Sequence, residues 1–174
     1  MQIVIKPCDR SYAEPVLSIF NDVIATSTAL YDYRPRTMEM METWFQTKLQ
    51  GGYPVLGALT PDGELMGFGT YGAFRIQPAY KYTVEHSVYV ARAFRGHGIG
   101  RRLLEELIAV ATQQGYHVLV GAIDAENATS IALHRQLGFQ ESGTLRQVGF
   151  KFGKWLDMVF YQLTLATPEH PRDG

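Results

Sequence analysis

Three glycines alternate beside three arginines in the run Arg95-Gly96-His97-Gly98-Ile99-Gly100-Arg101-Arg102. The apolar stretch Val88-Tyr89-Val90 precedes it. Ile99, Leu103, Leu104, Leu107, Ile108 and Ala111 follow at helical spacing. A strand that runs through a glycine-rich loop into a helix is built to hold phosphate. The helix N-terminus leaves amides unpaired and carries positive dipole potential. Glycine lets a ligand approach the backbone, and Arg95 and Arg101 can add charge-assisted bonds. Single residues exclude two other phosphate loops. The dinucleotide fingerprint needs Gly or Ala where Arg101 stands, and a P-loop needs Gly-Lys-Ser/Thr, which the chain lacks.

Two residues have the chemistry for proton transfer. Glu85 lies on the strand leading into the loop and shares a face with Ser87 and Tyr89 by period-two alternation, with His86 turned away. His134 falls on one helical stripe with Asn127, Ser130 and Ile131. Arg75 offers a fork of donors to a carboxylate or sulfone oxygen, and Asn127 suits a helix N-cap. Tyr31, Tyr80 and Trp155 are aromatic candidates for pocket walls.

The elements that must position these groups follow from periodicity and punctuation. Residues 2–6 read as a strand. Ser11 with Glu14 forms a capping box for a helix carrying Val16, Ile19, Phe20, Val23 and Ile24. Thr37 opens a second helix with Met38, Met41, Trp44, Phe45 and Leu49 inward, ended by Gly51-Gly52. Residues 54–60 and 64–74 are strands joined by the turn Pro61-Asp62-Gly63. A fourth strand covers 82–91, a helix about 99–114 with Gly115 as its stop, and a fifth strand 117–123 that is continuously apolar from Val118. A short helix over 127–137 ends at Gly138-Phe139, and 144–150 and 155–165 are strands again. The order is that of a mixed α/β sheet.

The chain has 174 residues, and at roughly 100–200 residues per domain this predicts one domain, 1–166, with a frayed tail over 167–174. The net charge is −1, and the only basic cluster is Arg92, Arg95, His97, Arg101 and Arg102. That suits one small polyanion better than a nucleic acid duplex. One cysteine, Cys8, excludes an internal disulfide and any multi-cysteine metal site. No apolar window reaches the length of a membrane span or a signal peptide, so the cytoplasm is the expected compartment, with no membrane partner.

Arg95-x-x-Gly98-x-Gly100 matches the Q/R-x-x-G-x-G/A signature of the GNAT superfamily of acyl-CoA-dependent N-acetyltransferases. The resemblance extends over nearly the whole chain and points particularly to the phosphinothricin and methionine sulfoximine N-acetyltransferases. It is carried by Thr83-Val84-Glu85-His86-Ser87-Val88-Tyr89-Val90, by Tyr71-Gly72 with Phe74-Arg75, by Asn127 to Phe139, and by Gly149 to Asp157. It implies an α/β GNAT fold: a mixed, mostly antiparallel central sheet flanked by helices and splayed between strands 4 and 5. It implies acetyl-CoA as co-substrate and no metal. The amides of Gly96, His97, Gly98, Ile99, Gly100 and Arg101, with Arg95, would hold the CoA pyrophosphate. Val88, Tyr89 and Val90 would pair with the pantetheine arm, as would Asn127 with Ser130 beside it.

Amine acetylation needs a base for the ammonium, a donor for the oxyanion, and a proton or charge for the leaving thiolate. The resemblance makes Glu85 the base, acting through water, and His134 the acid, where many relatives carry Tyr. The acceptor side would be Arg75, Ile76, Gln77, Glu85, His86 and Ser87. Close relatives often carry a second basic residue where this chain has Gln77. The expected acceptor is a small amino-acid-like amine such as methionine sulfone, methionine sulfoximine or phosphinothricin. Protein N-termini, polyamines, or a non-catalytic acyl-CoA sensor are the alternatives. A homodimer is implied too, with Met158-Val159-Phe160-Tyr161 as either its interface or core.

Overall fold

The computed structural model describes residues 2–173; Met1 and Gly174, which the expected domain and tail include, lie outside the described residues. The chain gathers into two units, Met1–Gly72 with Ser87–Leu107 and Ala73–His86 with Ile108–Gly174.

The first unit holds β1 (Val4–Pro7), α1 (Ala13–Thr26), α2 (Met38–Gln50), β2 (Val55–Leu59) and β3 (Leu65–Ala73) as far as Gly72. It also takes Ser87–Val90 of β4 (Thr83–Val90) and Ile99–Leu107 of α3 (Ile99–Gln113). Both β1–β2 and β2–β3 are antiparallel, and the latter turns through Pro61-Asp62-Gly63, where the Gly63 N–H donates to Thr60 O at 3.0 Å. The core is aromatic. Phe20, 2% exposed, stands edge-on to Phe68 at 4.9 Å and to Tyr89 at 5.3 Å between ring centroids. Each such pair adds roughly 0.5–1.5 kcal/mol beyond the area it buries. The Tyr89 ring is thus packed inside, and what it can offer a ligand is its backbone.

Two local expectations fail here for physical reasons. The Ser11–Glu14 box does not cap α1, because the Asp9 carboxylate accepts both the Ser11 N–H at 2.9 Å and the Ser11 hydroxyl at 2.5 Å, starting a 3-10 turn at Arg10–Tyr12. In α2, Thr37 caps as expected and Met41 and Phe45 are buried, but Met38 is 44% and Leu49 76% exposed, so the stripe is narrower than its apolar letters.

The second unit holds Thr83–His86 of β4, the end of α3, β5 (Val118–Asp124), α4 (Ala128–Gln136), β6 (Gln140–Lys151) and β7 (Lys154–Thr164). Its strand order is β4-β5-β7-β6, which joined to β1-β2-β3-β4 through the shared strand makes a seven-stranded mixed sheet. The β4–β5 pairing is parallel and runs over Thr83–Val118, Val84–Leu119 and Glu85–Val120; there the ladder ends, although both strands continue. This is the strand pair at which splaying is expected. β5 lies between β4 and β7, and consecutive residues on both of its faces are buried, which explains its apolar run. Val159 and Tyr161 of β7 are core, at 4% and 1% exposure.

The C-terminal segment is tied down. The Leu165 N–H donates to His117 O at 2.7 Å, and the Tyr82 hydroxyl donates to Arg172 O at 3.3 Å while accepting the Arg172 N–H at 3.1 Å.

Candidate active site

In the first unit, β4 passes through a 3-10 turn at Arg92–Phe94 into the glycine loop and then α3. Gly96 and Gly98 adopt φ of +80° and +76°, and a Cβ added at either would meet no atom within 4 Å. The loop is exposed and its backbone is open to a ligand at the start of a fifteen-residue helix. Those properties fit a pyrophosphate. Ile99 is buried and anchors the helix start, leaving its backbone as the binding part. Gly100 is half-buried within the first turn. The arginines are already engaged: Arg95 Nε donates to Val90 O at 3.1 Å, and Arg101 Nε to Glu105 at 2.9 Å, an exposed pair that a phosphate can displace at little cost. The His97 ring turns to Phe94 O at 3.3 Å. Ser87, Val88 and Val90 are half-buried.

In the second unit, Glu85 is half-buried on β4, opposite Val120. Burial raises its carboxyl above the ordinary carboxylate range, and the Arg75 guanidinium pulls it down less strongly. A carboxylate so raised is a better proton acceptor near neutral pH. Arg75 is exposed, donates from Nη1 to Phe74 O at 2.7 Å and lies 4.2 Å from the centroid of the Phe74 ring. Ile76 is 94% exposed, Gln77 is exposed, and Tyr80 stands edge-on to Phe74 at 5.7 Å. Trp155 is 60% exposed beside Phe150 on the β6–β7 hairpin.

Asn127 caps α4, its side chain accepting the Ser130 N–H at 3.1 Å. His134, further along the same stripe, is 6% exposed. Its carbonyl accepts the Phe139 N–H at 3.0 Å and Gly138 N–H reaches Arg135 O at 3.1 Å, the paired bonds of a Schellman end. The Phe139 ring stands 5.0 Å from the His134 ring, the apolar contact that accompanies the motif. The side chain is held as firmly. Nδ1 lies 2.7 Å from Ser130 O, and Nε2 lies 2.9 Å from Nε2 of His86. His86 is itself 5% exposed. Burial, then His134, drives the His86 imidazole down to about 3, with the Val120 backbone acting weakly the other way. Burial lowers His134 too, against the Ser130 carbonyl.

Sequence reasoning turned His86 away from Glu85 and gave it only a place on the acceptor side, and its pairing with His134 joins residues 48 positions apart. One signal pointed to it: Gly121, a glycine inside an apolar, doubly covered strand, which marks a close approach. A Cβ at Gly121 would stand 3.0 Å from His134 Nε2 and 3.0 Å from His86 Cε1.

Comparison with known proteins identifies the family. The family model "Acetyltransferase (GNAT) domain" matches residues 13–160. The chain is 47% identical over 150 residues to the L-methionine sulfoximine/L-methionine sulfone acetyltransferase of Pseudomonas aeruginosa, covering 86% of this chain and 87% of that one. It is 36% identical to the phosphinothricin N-acetyltransferase of Alcaligenes faecalis, covering 86% and 76%. The structure superposes with a TM-score of 0.94 on a GNAT superfamily phosphinothricin acetyltransferase from Sinorhizobium meliloti solved with acetyl-CoA, at 32% identity, covering 98% and 93%. The chain belongs to the GNAT family and is an N-acetyltransferase.

Proposed function

We propose that this enzyme transfers the acetyl group of acetyl-CoA to the α-amine of a small amino acid whose side chain ends in a tetrahedral, oxygen-bearing centre. One observation carries the reading: β4 bears the half-buried Glu85 and, three residues on, the backbone run that leads into the glycine loop. In this reading one strand carries both the base and the acyl-CoA grip. In this reading the amides of Gly96 to Arg101 hold the pyrophosphate, with Arg95 beside them. Val88, Tyr89 and Val90 pair with the pantetheine amides like an added strand. The capped turn at Asn127 and Ser130 meets the same arm. Glu85 takes the ammonium proton through a water, and His134 stands on the leaving-group side. Arg75, Ile76, Gln77, the backbone of His86, and Ser87 face the acceptor.

The relatives named for methionine sulfoximine, methionine sulfone and phosphinothricin support this acceptor class. The domain is taken as residues 1–166, acting in the cytoplasm without a metal. We assign a homodimer too, supported by Leu145, Val148, Phe150 and Trp155, apolar side chains exposed on β6 and β7; sedimentation as a monomer would exclude it. The experiment that tests the acceptor is kcat/KM for methionine, its sulfone, its sulfoximine and phosphinothricin, read by thiol release from acetyl-CoA. The sulfone and sulfoximine should lead. Equal rates on methionine and its sulfone would refute the reading.

A further inference from the structure

The loop that carries Arg75, Ile76 and Gln77 is closed at its base, where the Phe74 N–H donates to Thr83 O at 3.3 Å. Inside it the Tyr80 N–H reaches Gln77 O and the Lys81 N–H reaches Pro78 O, both at 3.0 Å, as a 3-10 turn over Pro78–Tyr80. The Tyr80 ring meets the Phe74 ring against which Arg75 lies. Arg75, Ile76 and Gln77 are all exposed, so their place depends on this frame and not on burial. The frame is pinned at Tyr82. Its carbonyl accepts the His117 N–H at 2.8 Å and the Val118 N–H at 3.1 Å, where the parallel β4–β5 pairing begins. Its hydroxyl accepts the Arg172 N–H at 3.1 Å and donates to Arg172 O at 3.3 Å, so one phenol satisfies both backbone groups of a residue 90 positions away. The segment that supplies Arg172 is anchored in turn just ahead of β5. The Leu165 N–H donates to His117 O, the Thr167 hydroxyl donates to Tyr116 O, and His117 Nδ1 lies 2.7 Å from Thr167 O. Pro78 and Ala79 of the loop and Pro171 and Asp173 of the segment line one hollow with Tyr82 and Arg172. A frayed tail would make none of these bonds.

We propose that Tyr82 is a positioning residue for the acceptor: its hydroxyl clasps the backbone of Arg172 and so uses residues 165–173 as a brace for the loop that presents Arg75, Ile76 and Gln77 to the amino acid. The proposal rests on the reading that this loop faces the acceptor. Tyr82 acts through the loop and touches neither substrate, and the working domain extends past residue 166. A loop already in place gives up little freedom on binding, whereas a site that is competent only part of the time loses affinity by that fraction.

Steady-state kinetics on the full chain, with methionine sulfone and acetyl-CoA, test it. Tyr82→Phe keeps the ring and removes both bonds to Arg172. It should raise KM for the sulfone by about 2–10-fold, the effect of losing about one net hydrogen bond, while kcat and KM for acetyl-CoA hold. Amide hydrogen exchange should quicken over residues 76–82 and stay unchanged in β5. Arg172→Pro removes only the backbone N–H and should move KM for the sulfone in the same direction. Arg172→Ala leaves both backbone groups in place and should match the wild type. If Arg75→Ala raises KM for the sulfone while Tyr82→Phe does not, the brace is refuted alone. If Arg75→Ala leaves that KM unchanged, the loop is not on the acceptor side and the proposal falls with that reading. A Tyr82→Phe enzyme that loses kcat, or affinity for both substrates alike, marks a general structural role and overturns the proposal. So does an Arg172→Ala effect as large as that of Tyr82→Phe, which would assign the contact to the arginine side chain. If Tyr82→Phe does not fold, Arg172→Pro against Arg172→Ala decides.

Discussion

Replacing Glu85 with Gln should make the enzyme slower and no less stable, two effects of opposite sign from one carboxylate. The substitution is nearly isosteric and removes the charge and the acceptor together. Loss of a positioned general base lowers kcat/KM by about 10²–10⁴-fold, which is about 2.7–5.5 kcal/mol of transition-state stabilisation. The stability effect follows from burial. The Glu85 carboxyl is raised in the folded chain, burial outweighing Arg75, so it binds its proton more tightly folded than unfolded. Its contribution is complete below the unfolded pKa and is lost as pH rises through the folded one. At pH 7 the wild type has lost it, whereas Gln has nothing to lose. The Tm of Glu85→Gln should therefore equal or exceed that of the wild type at pH 7, with the difference shrinking as the pH falls through the carboxylate range. The wild-type kcat/KM profile should carry an acidic limb above the usual carboxylate value. Arg75→Ala should move that limb higher still by removing the lowering influence. Thiol release followed between pH 4 and 9, beside calorimetric melting, reads both quantities. A Glu85→Gln enzyme that keeps more than about a tenth of the wild-type kcat/KM, with the limb unmoved, refutes the assignment of Glu85 as base.

Gly98→Asp should abolish acetyl-CoA binding, read by titration calorimetry, because it sets a carboxylate where the open backbone at φ +76° meets phosphate; a folded variant with normal affinity would rule the loop out. Gly121→Ala should destabilise by about 1–3 kcal/mol in chemical denaturation, the usual range for overpacking, since its Cβ would press at 3.0 Å on both imidazoles; an unchanged midpoint would mean the rings give way freely. Methionine should be a poorer acceptor than its sulfone by about 5–150-fold in kcat/KM, the equivalent of leaving a donor unpaired; Gln77, a neutral donor, should favour the sulfone and sulfoximine over the charged phosphinate, and a clear preference for phosphinothricin would take that role from Gln77.

The parts legible in the sequence are those decided within a few residues. Thr37 caps α2, Pro61-Asp62-Gly63 turns, Gly115 and Gly138 stop their helices at φ of +78° and +86°, and the glycine loop stands where its letters put it. One miss was local, and the others needed tertiary information. Asp9 outcompetes Ser11 and Glu14 because a carboxylate two residues back reaches both the Ser11 amide and its hydroxyl. Leu49 has helical spacing but lies in the last turn of α2, exposed. At the site, the stripe of Asn127, Ser130 and His134 was visible from spacing. The contact of His86 with His134 was not, because its partner comes from a helix 48 residues away.

The glycine between the two imidazoles bears on how this family member can be redesigned. Residues 86, 121 and 134 share one volume, and contacting residues of this kind couple by roughly 0.5–3 kcal/mol, in either sign. A side chain added at Gly121 is harmful beside two histidines and becomes acceptable only if one ring is made smaller. Mutational libraries that vary the three positions one at a time will score each native residue as intolerant of change. Libraries that vary them jointly will recover combinations that no single-site scan can reach. The same coupling makes position 121, which bears no functional group, a control point for how closely its two neighbours pack.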